Sequence, residues 1–335
     1  MTGPPPAVAQ LRLAVRVALS DIAPGSVVLV AASGGADSMA LAAATAFESR
    51  AAGWRYAAVV VDHQLQPGSA AAAQQAADAL SALGFDPVRV RAVEVGTAGG
   101  PEAAARSARY AAIDAVATEL EAVTVLLGHT RDDQAESVLL GLSRGSGARS
   151  MSGMAPVRGV YRRPILEIDR ATTHAACVAE GVPIWDDPHN VDDAFTRVRL
   201  RHRVMPVIER ELGPGVSDAL ARTADLLRED DGALEQWADE VLADARCLDD
   251  VGRAALDVEV LAAVPAAVRR RVLRFKALES GVPGGDLRAS HLADIDALVT
   301  RWKGQGAVHL PGGVRATRDC GRLQLAPQEA AERQS

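Results

Sequence analysis

Between residues 26 and 142, short unbroken apolar runs alternate with Ala-rich stretches of helical length, and this alternation restricts the fold more tightly than anything else in the chain. Residues 26–32 (SVVLVAA), 56–61, 88–95 and 123–127 predict buried strands. Residues 37–49, 69–83, 101–120 and 132–142 predict helices, the third opening on Pro101, whose missing N–H costs nothing at a first helical position. Parallel strands need long crossovers, and helices of this length supply them. The pattern therefore specifies an α/β fold, a doubly wound parallel sheet. With 48% hydrophobic residues but only 3% aromatic, the core has to be built from Leu, Val, Ile and Ala, which suits helices packed on such a sheet.

Ligands of open α/β sheets bind beyond the carboxyl ends of the strands. Unusual residues cluster at those ends: Ser33-Gly34-Gly35-Ala36-Asp37-Ser38 after the first strand, Asp62-His63 after the second, Gly128-His129 after the fourth. Three loops are thus expected on one rim. The hexad lies between a buried strand and a helix, where backbone N–H groups and the positive helix end converge on an anion. Its glycines allow close backbone approach, Ser33 and Ser38 add hydroxyls, and Asp37 could hold a magnesium ion against phosphates. An ordinary glycine turn with Asp37 and Ser38 as helix caps is the plainer alternative. A Walker loop is excluded, since no Gly-Lys-Ser/Thr occurs.

The second motif opens the helix after the fourth strand: Gly128-His129-Thr130-Arg131-Asp132-Asp133-Gln134-Ala135-Glu136-Ser137. Asp133 and Asp132 precede Glu136 by three and four residues, so the carboxylates share a face. Thr130 and Asp133 also fit a capping arrangement, and acids in a first turn offset the helix dipole. Gly/Ser-rich loops follow at 144–154, another loop spans 185–190, and a helix over 194–212, interrupted near Pro206, carries Arg197, Arg199, Arg201, His202 and Arg203.

At 335 residues the chain is long enough for two domains, and Gly213-Pro214-Gly215 marks the boundary: a catalytic domain over 1–213 and an accessory domain over 214–335. The second reads as a smaller, mostly helical α+β domain. It predicts an acidic helical stretch over 216–245 broken near Asp230-Asp231-Gly232, helices near 265–280 and 288–302, and a hairpin of 307–310 with 321–325 through Pro311-Gly312-Gly313. The net charge is −7 and neither half is basic, so any nucleic-acid surface must be local. Two basic runs are available, Arg197–Arg203 and Arg269, Arg270, Arg271, Arg274 with Lys276; solvated helix faces are the bland reading of both. The three cysteines, Cys177, Cys247 and Cys320, are odd in number and widely spaced, against a disulfide framework or a metal cluster. No apolar stretch approaches the roughly 20 residues that cross a bilayer, and the start is Pro-rich rather than signal-like, so a cytoplasmic protein is expected.

The hexad resembles the SGGxDS pyrophosphate loop of the N-type ATP pyrophosphatases, which implies cleavage of ATP between the α and β phosphates. Residues 128–137 resemble the GHxxDDQxET stretch of tRNA(Ile)-lysidine synthetases, with Ser137 in place of Thr; a tRNA 2-thiolation family has a similar stretch. Val61-Asp62-His63-Gln64-Leu65 resembles the VDHxL stretch of the lysidine synthetases, with Gln66 where an arginine is common. Arg144-Gly145-Ser146-Gly147 and Ser152-Gly153-Met154 resemble their RGSG and GM segment. Asp187-Pro188-x-Asn190 with Arg197 and Arg201 resembles DPSN…RNxxR. The thiolases use cysteines that this chain lacks.

This resemblance implies an enzyme that uses ATP and Mg²⁺ to couple L-lysine to C2 of the wobble cytidine of a CAU-anticodon tRNA(Ile). The route is through an adenylated tRNA, with release of pyrophosphate and AMP, so that the tRNA reads AUA as isoleucine. It implies nucleotide contacts from Ser33, Gly34, Gly35, Ala36, Asp37, Ser38, Asp62 and His63, with metal on Asp37. Asp133 and Glu136 would take the lysine ammonium and Asp132 a possible second metal contact. His129 would orient phosphate or pass a proton, and Arg197 and Arg201 would grip tRNA phosphate or the lysine carboxylate. A non-catalytic nucleotide sensor on the same fold is the competing reading. A homodimer is compatible with the sequence and not specified by it.

Overall fold

The computed structural model describes residues 3–64, 68–94, 96, 101–145, 147–185 and 192–328. Leu65 and Gln66, Val95, Ser146, and Asp187, Pro188 and Asn190 lie outside the described residues. The chain forms two compact units, Met1–Arg228 and Glu229–Ser335.

The first unit opens with a helix, α1 (Pro6–Ala18), and continues β1 (Val27–Ala32), α2 (Ala36–Ala52), β2 (Arg55–Asp62), α3 (Ser69–Ala82), β3 (Val88–Ala92), α4 (Pro101–Glu119), β4 (Ala122–Leu127) and α5 (Arg131–Ser143). Each predicted strand and helix of the alternating region is present. The short α6 (Ala148–Met151), the strands β5 (Val157–Arg158) and β6 (Tyr161–Arg162) and the helix α7 (Arg170–Glu180) follow. Strand order is β3-β2-β1-β4-β6-β5, with β1 to β4 mutually parallel where they pair and only the β5–β6 edge antiparallel.

Every residue of β1 is buried, as a central strand covered on both faces requires. Its side chains alternate between two cores. Val28, Val30 and Ala32 meet Leu11 and Val15 of α1, Met39 of α2, Leu80 of α3 and Cys177 of α7. Val27, Leu29 and Ala31 meet Ile113 and Val116 of α4. The many alanines let these helices sit close to the sheet without aromatic bulk.

After α7 come a short helix α8 (Thr196–Arg199), a π-helical turn (Leu200–Val204), α9 (Met205–Leu212) and α10 (Val216–Ala245). The interruption predicted at Pro206 is the π-turn just before it: a proline early in α9 has no N–H to return to the preceding turn. The break predicted near Gly232 is absent, and α10 runs continuously through it. A helix-interior glycine costs only about 1 kcal/mol relative to alanine. Here Asp231 is buried against Arg271 at 2.5 Å, and Ala238, Val241 and Leu242 join the core of the second unit. The expected boundary at residues 213–215 precedes α10, whereas the compact units divide within it.

The second unit contains β7 (Arg246–Leu248), β8 (Ala254–Asp257), α11 (Val258–Ala263), α12 (Ala266–Glu279), α13 (Ala289–Thr300), β9 (Val308–Leu310), β10 (Val314–Asp319) and β11 (Arg322–Pro327). Its sheet has the order β7-β8-β11-β10-β9. The predicted hairpin is corrected: through Pro311-Gly312-Gly313, β9 pairs with β10, and β11 lies on the other side of β10. β10 alternates inward Val314 and Ala316 with outward Arg315 and Thr317, a half-buried strand not among those expected from the sequence. Among the described residues no helix is long and apolar enough to cross a membrane.

Candidate active site

Strands β2 and β3 are added on one side of β1 and β4 on the other, so the winding order of the parallel strands reverses between β1 and β4. Loops leaving neighbouring strands diverge at such a point and open a crevice. A cavity of about 580 Å³ occupies it, lined by the phosphate-loop residues Ser33, Gly35, Ala36, Asp37 and Ser38, by Gly128 and His129 after β4, and by Asp133, Arg197 and Arg201. Asp62 and His63 do not line this cavity, because β2 lies one strand away from the reversal. The Asp62 carboxylate instead accepts the Gln64 N–H at 2.9 Å and holds its own turn. Two of the three expected loops therefore meet.

Their approach depends on glycine. A Cβ at Gly128 would lie 2.9 Å from the Ser38 Cα, and Gly34 has φ +85°, with Ala76 and Trp185 against it. Ser38 braces the loop: its hydroxyl accepts the Ser33 N–H at 3.1 Å and donates to the Gly35 carbonyl at 2.9 Å. The Trp185 N–H donates to the Gly34 carbonyl at 2.9 Å. Gly35 caps α2 with its backbone, leaving Asp37 in the first helical turn.

Asp133 serves both of its readings. One oxygen accepts the Thr130 N–H at 2.9 Å and hydroxyl at 3.1 Å, completing the cap of α5. The other is paired with Arg170 and lies 3.5 Å from Arg201. Glu136 sits beneath the cavity wall, 2% exposed, with Arg201 Nε at 2.8 Å and Arg170 Nη1 at 3.2 Å. Asp132 accepts the Arg170 backbone N–H at 2.9 Å and does not line the cavity. Arg197 and Arg201 do, Arg197 from α8 and Arg201 from within the π-turn.

Comparison with known proteins decides what this arrangement belongs to. Residues 10–208 match a PP-loop domain and residues 256–323 a TilS substrate binding domain. The chain is 54% identical to the tRNA(Ile)-lysidine synthase of Streptomyces coelicolor, over 96% of this chain and 99% of the relative. It is 55% identical to that of Thermobifida fusca over 96% and 98%. The chain belongs to the tRNA(Ile)-lysidine synthase family. A member from Mycobacterium bovis is 48% identical over 93% of each chain. A solved U34-tRNA thiolase, NcsA from Methanococcus maripaludis with its [4Fe-4S] cluster, shares the fold at 15% identity, with a TM-score of 0.54 over 66% of this chain and 80% of that one. In this family member the cysteines are free and lie apart in sequence, Cys177 in α7, Cys247 in β7 and Cys320 in the β10–β11 turn.

The family's ATP-dependent tRNA modification thus takes place on a PP-loop scaffold, and the electrostatics of this member's cavity are specific. Burial raises the Asp37 carboxyl above its usual range, opposed by the Thr173 hydroxyl at 2.5 Å and by Arg170. Asp133 is held below the usual range: burial pushes it up, but Arg170, the Thr130 N–H, His129 and Arg201 outweigh this. Burial pushes the His129 imidazole down to about 3, with Asp133 opposing and Arg163, Arg109 and Arg106 assisting. Burial thus disfavours the charged form of His129, and its buried Nδ1 has no hydrogen-bond partner among the described residues.

Several residues of the site escaped sequence reading: Arg106 and Arg109 of α4 and Arg170 and His174 of α7 line the cavity, and the buried Thr173 of α7 supports Asp37 behind it. Their signal was the i, i+3 spacing of Arg106 with Arg109 and of Arg170 with Thr173, which is too common in solvated helices to stand out. Asp37 fits the share of a magnesium site that one carboxylate can supply, since that ion takes most of its ligands from phosphate and water. Among the described residues no group of three His, Cys, Asp or Glu could hold a metal unaided.

Proposed function

We propose that this protein couples L-lysine to C2 of the wobble cytidine of a CAU-anticodon tRNA(Ile), in two steps within the cavity between β1 and β4. The observation that carries the reading is the joining of two acidic elements, Asp37 of the phosphate loop and Asp133 with Glu136 of α5, beside Arg170 and Arg201. Three carboxylates face two guanidinium groups there, which makes this the acidic side of a cavity whose other wall carries Arg106 and Arg109.

In the first step the cytidine O2 attacks the α-phosphorus and pyrophosphate departs. The N–H groups of residues 33–38 cradle the phosphates, and Asp37 would hold Mg²⁺, whose charge lowers the cost of the phosphoryl transition state. Arg106 and Arg109 supply further positive charge to the cavity. In the second step the lysine amine, freed of its proton, adds to C2 and AMP departs with the O2 oxygen. Asp133 and Glu136 orient the ammonium beforehand, with Asp132 holding the backbone of α7 nearby. His129, which lines the cavity, orients phosphate or passes a proton. Arg197 and Arg201 are placed for an anion, the lysine carboxylate or a tRNA phosphate. The product reads AUA as isoleucine, and with a tRNA as substrate the reaction belongs in the cytoplasm.

Pyrophosphate release measured with and without lysine and an unmodified CAU tRNA(Ile) tests this. Release that requires the tRNA but not lysine, followed by AMP release only with lysine, is the expected result. Sulfur transfer, or ATP binding without tRNA-dependent release, would overturn it.

A further inference from the structure

Helix α7 turns one face to both acidic elements of the cavity. Arg170, Thr173 and Cys177 follow one another at i, i+3 and i+7, a spacing that stacks side chains on one side of a helix. The Cys177 thiol lies 3.4 Å from the Ala36 carbonyl. The fully buried Thr173 hydroxyl is 2.5 Å from Asp37 Oδ1. At the head of the row, Arg170 Nε is 3.4 Å from Asp37 Oδ2, Nη1 is 3.2 Å from Glu136 Oε1, and Nη2 is paired with Asp133 Oδ1. Its own N–H is fixed by Asp132. Among the described residues Arg170 alone is ion-paired both to Asp37 and to the Asp133/Glu136 pair.

We propose that Arg170 is a positioning residue that ties the phosphate loop to the acidic helix, so that the orientation of Asp37 during ATP cleavage depends on Asp133. A planar guanidinium can meet three carboxylates in three directions at once, which a lysine ammonium on a flexible stem cannot. Without the tie, Asp37 keeps only the Thr173 hydroxyl, and small misplacements at a reacting centre are costly. The proposal goes beyond the function proposed for the cavity and rests on it only in taking ATP cleavage on tRNA as the first step.

The test is a double-mutant cycle on lysine-free, tRNA-dependent pyrophosphate release, using the wild type, Arg170→Ala, Asp133→Asn and the double variant. Arg170→Ala is expected to slow this step about 10-fold or more and Asp133→Asn about 3-fold, while the double variant matches Arg170→Ala within about 2-fold, because both remove one connection. Multiplying effects would overturn the proposal, since Asp133 would then act independently of Arg170. Arg170→Lys keeps the charge and loses the fork; full recovery of the rate by it would also overturn the proposal, and it replaces Arg170→Ala in the cycle if that variant folds poorly. The lysine KM of Asp133→Asn is read in the same series: an unchanged value removes lysine from Asp133, while the coupling between Arg170 and Asp133 is still decided by the cycle.

Discussion

Two runs of basic residues look alike in the sequence and do opposite work in the molecule. Arg197 and Arg201 turn into the cavity beside the phosphate loop, Arg201 against Glu136, while Arg199 and Arg203 bind the Asp193 region and hold the approach to the helix. In the run of α12, Arg269 is buried against Asp296 at 2.6 Å and also donates to the Val264 carbonyl at 2.8 Å. Arg271 is half-buried on Asp231, and Lys276 pairs with Glu279. Of this run only Arg270, 56% exposed, presents its side chain openly to solvent, so few of its cations are available to a nucleic acid. Charge in a sequence reports where cations are, and only burial reports whether they are still available.

Breaking the structural side of this contrast should have the largest effect. Arg269→Ala leaves Asp296 buried and without its main partner, which costs about 3–5 kcal/mol in pairs of this kind. Urea unfolding of the full chain checks it, and the paired change Arg269→Met with Asp296→Leu should recover most of the loss. A loss below about 1 kcal/mol in Arg269→Ala would move that arginine to the functional side.

Arg201→Ala tests the other side. Lysidine formation should fall by roughly 10²–10³, as for a removed charged group in a catalytic cavity. Its stability cost should be smaller than that of Arg269→Ala because Arg170 still neutralises Glu136. Single-turnover rates and a thermal melt on the same preparation separate the two quantities.

Arg197→Ala should be milder, lowering lysidine formation about 10-fold with stability changed by less than about 0.5 kcal/mol, since no ion pair is formed by Arg197 among the described residues. An unaltered rate would take Arg197 out of the site. The smallest effect belongs to Arg270→Ala: tRNA affinity should weaken slightly and the slope of log affinity against log salt should fall by about 0.9, as for one lost phosphate contact. The same slope change in Arg271→Ala would contradict its engagement with Asp231.

Much of the site was legible because its geometry is local. Residues 33–38 follow a strand and start a helix, and residues 128–137 do the same at β4, so each motif carries its own structural context. Asp62-His63 looked equivalent to them, being also at a strand end, and differs only in which strand bears it. Arg170 and Thr173 were invisible for the opposite reason: nothing local distinguishes them, and their partners are more than a hundred residues away for Asp37 and over thirty away for Asp133. In the second unit β10 was missed and its neighbour mispaired, because the alternation of Val314 and Ala316 with Arg315 and Thr317 spans only four residues before the polar Arg318 and Asp319.

The sequence by itself determined the alternating scaffold, the anion-binding turn and the acidic first turn of α5, since each follows from backbone preferences and side-chain spacing within a few residues. Tertiary structure decided which strand ends face one another, which of the carboxylates share a cation and which arginines remain free. Those outcomes depend on strand order and burial, and both are properties of the whole chain closing on itself. Neither can be read from a segment, however distinctive its motif.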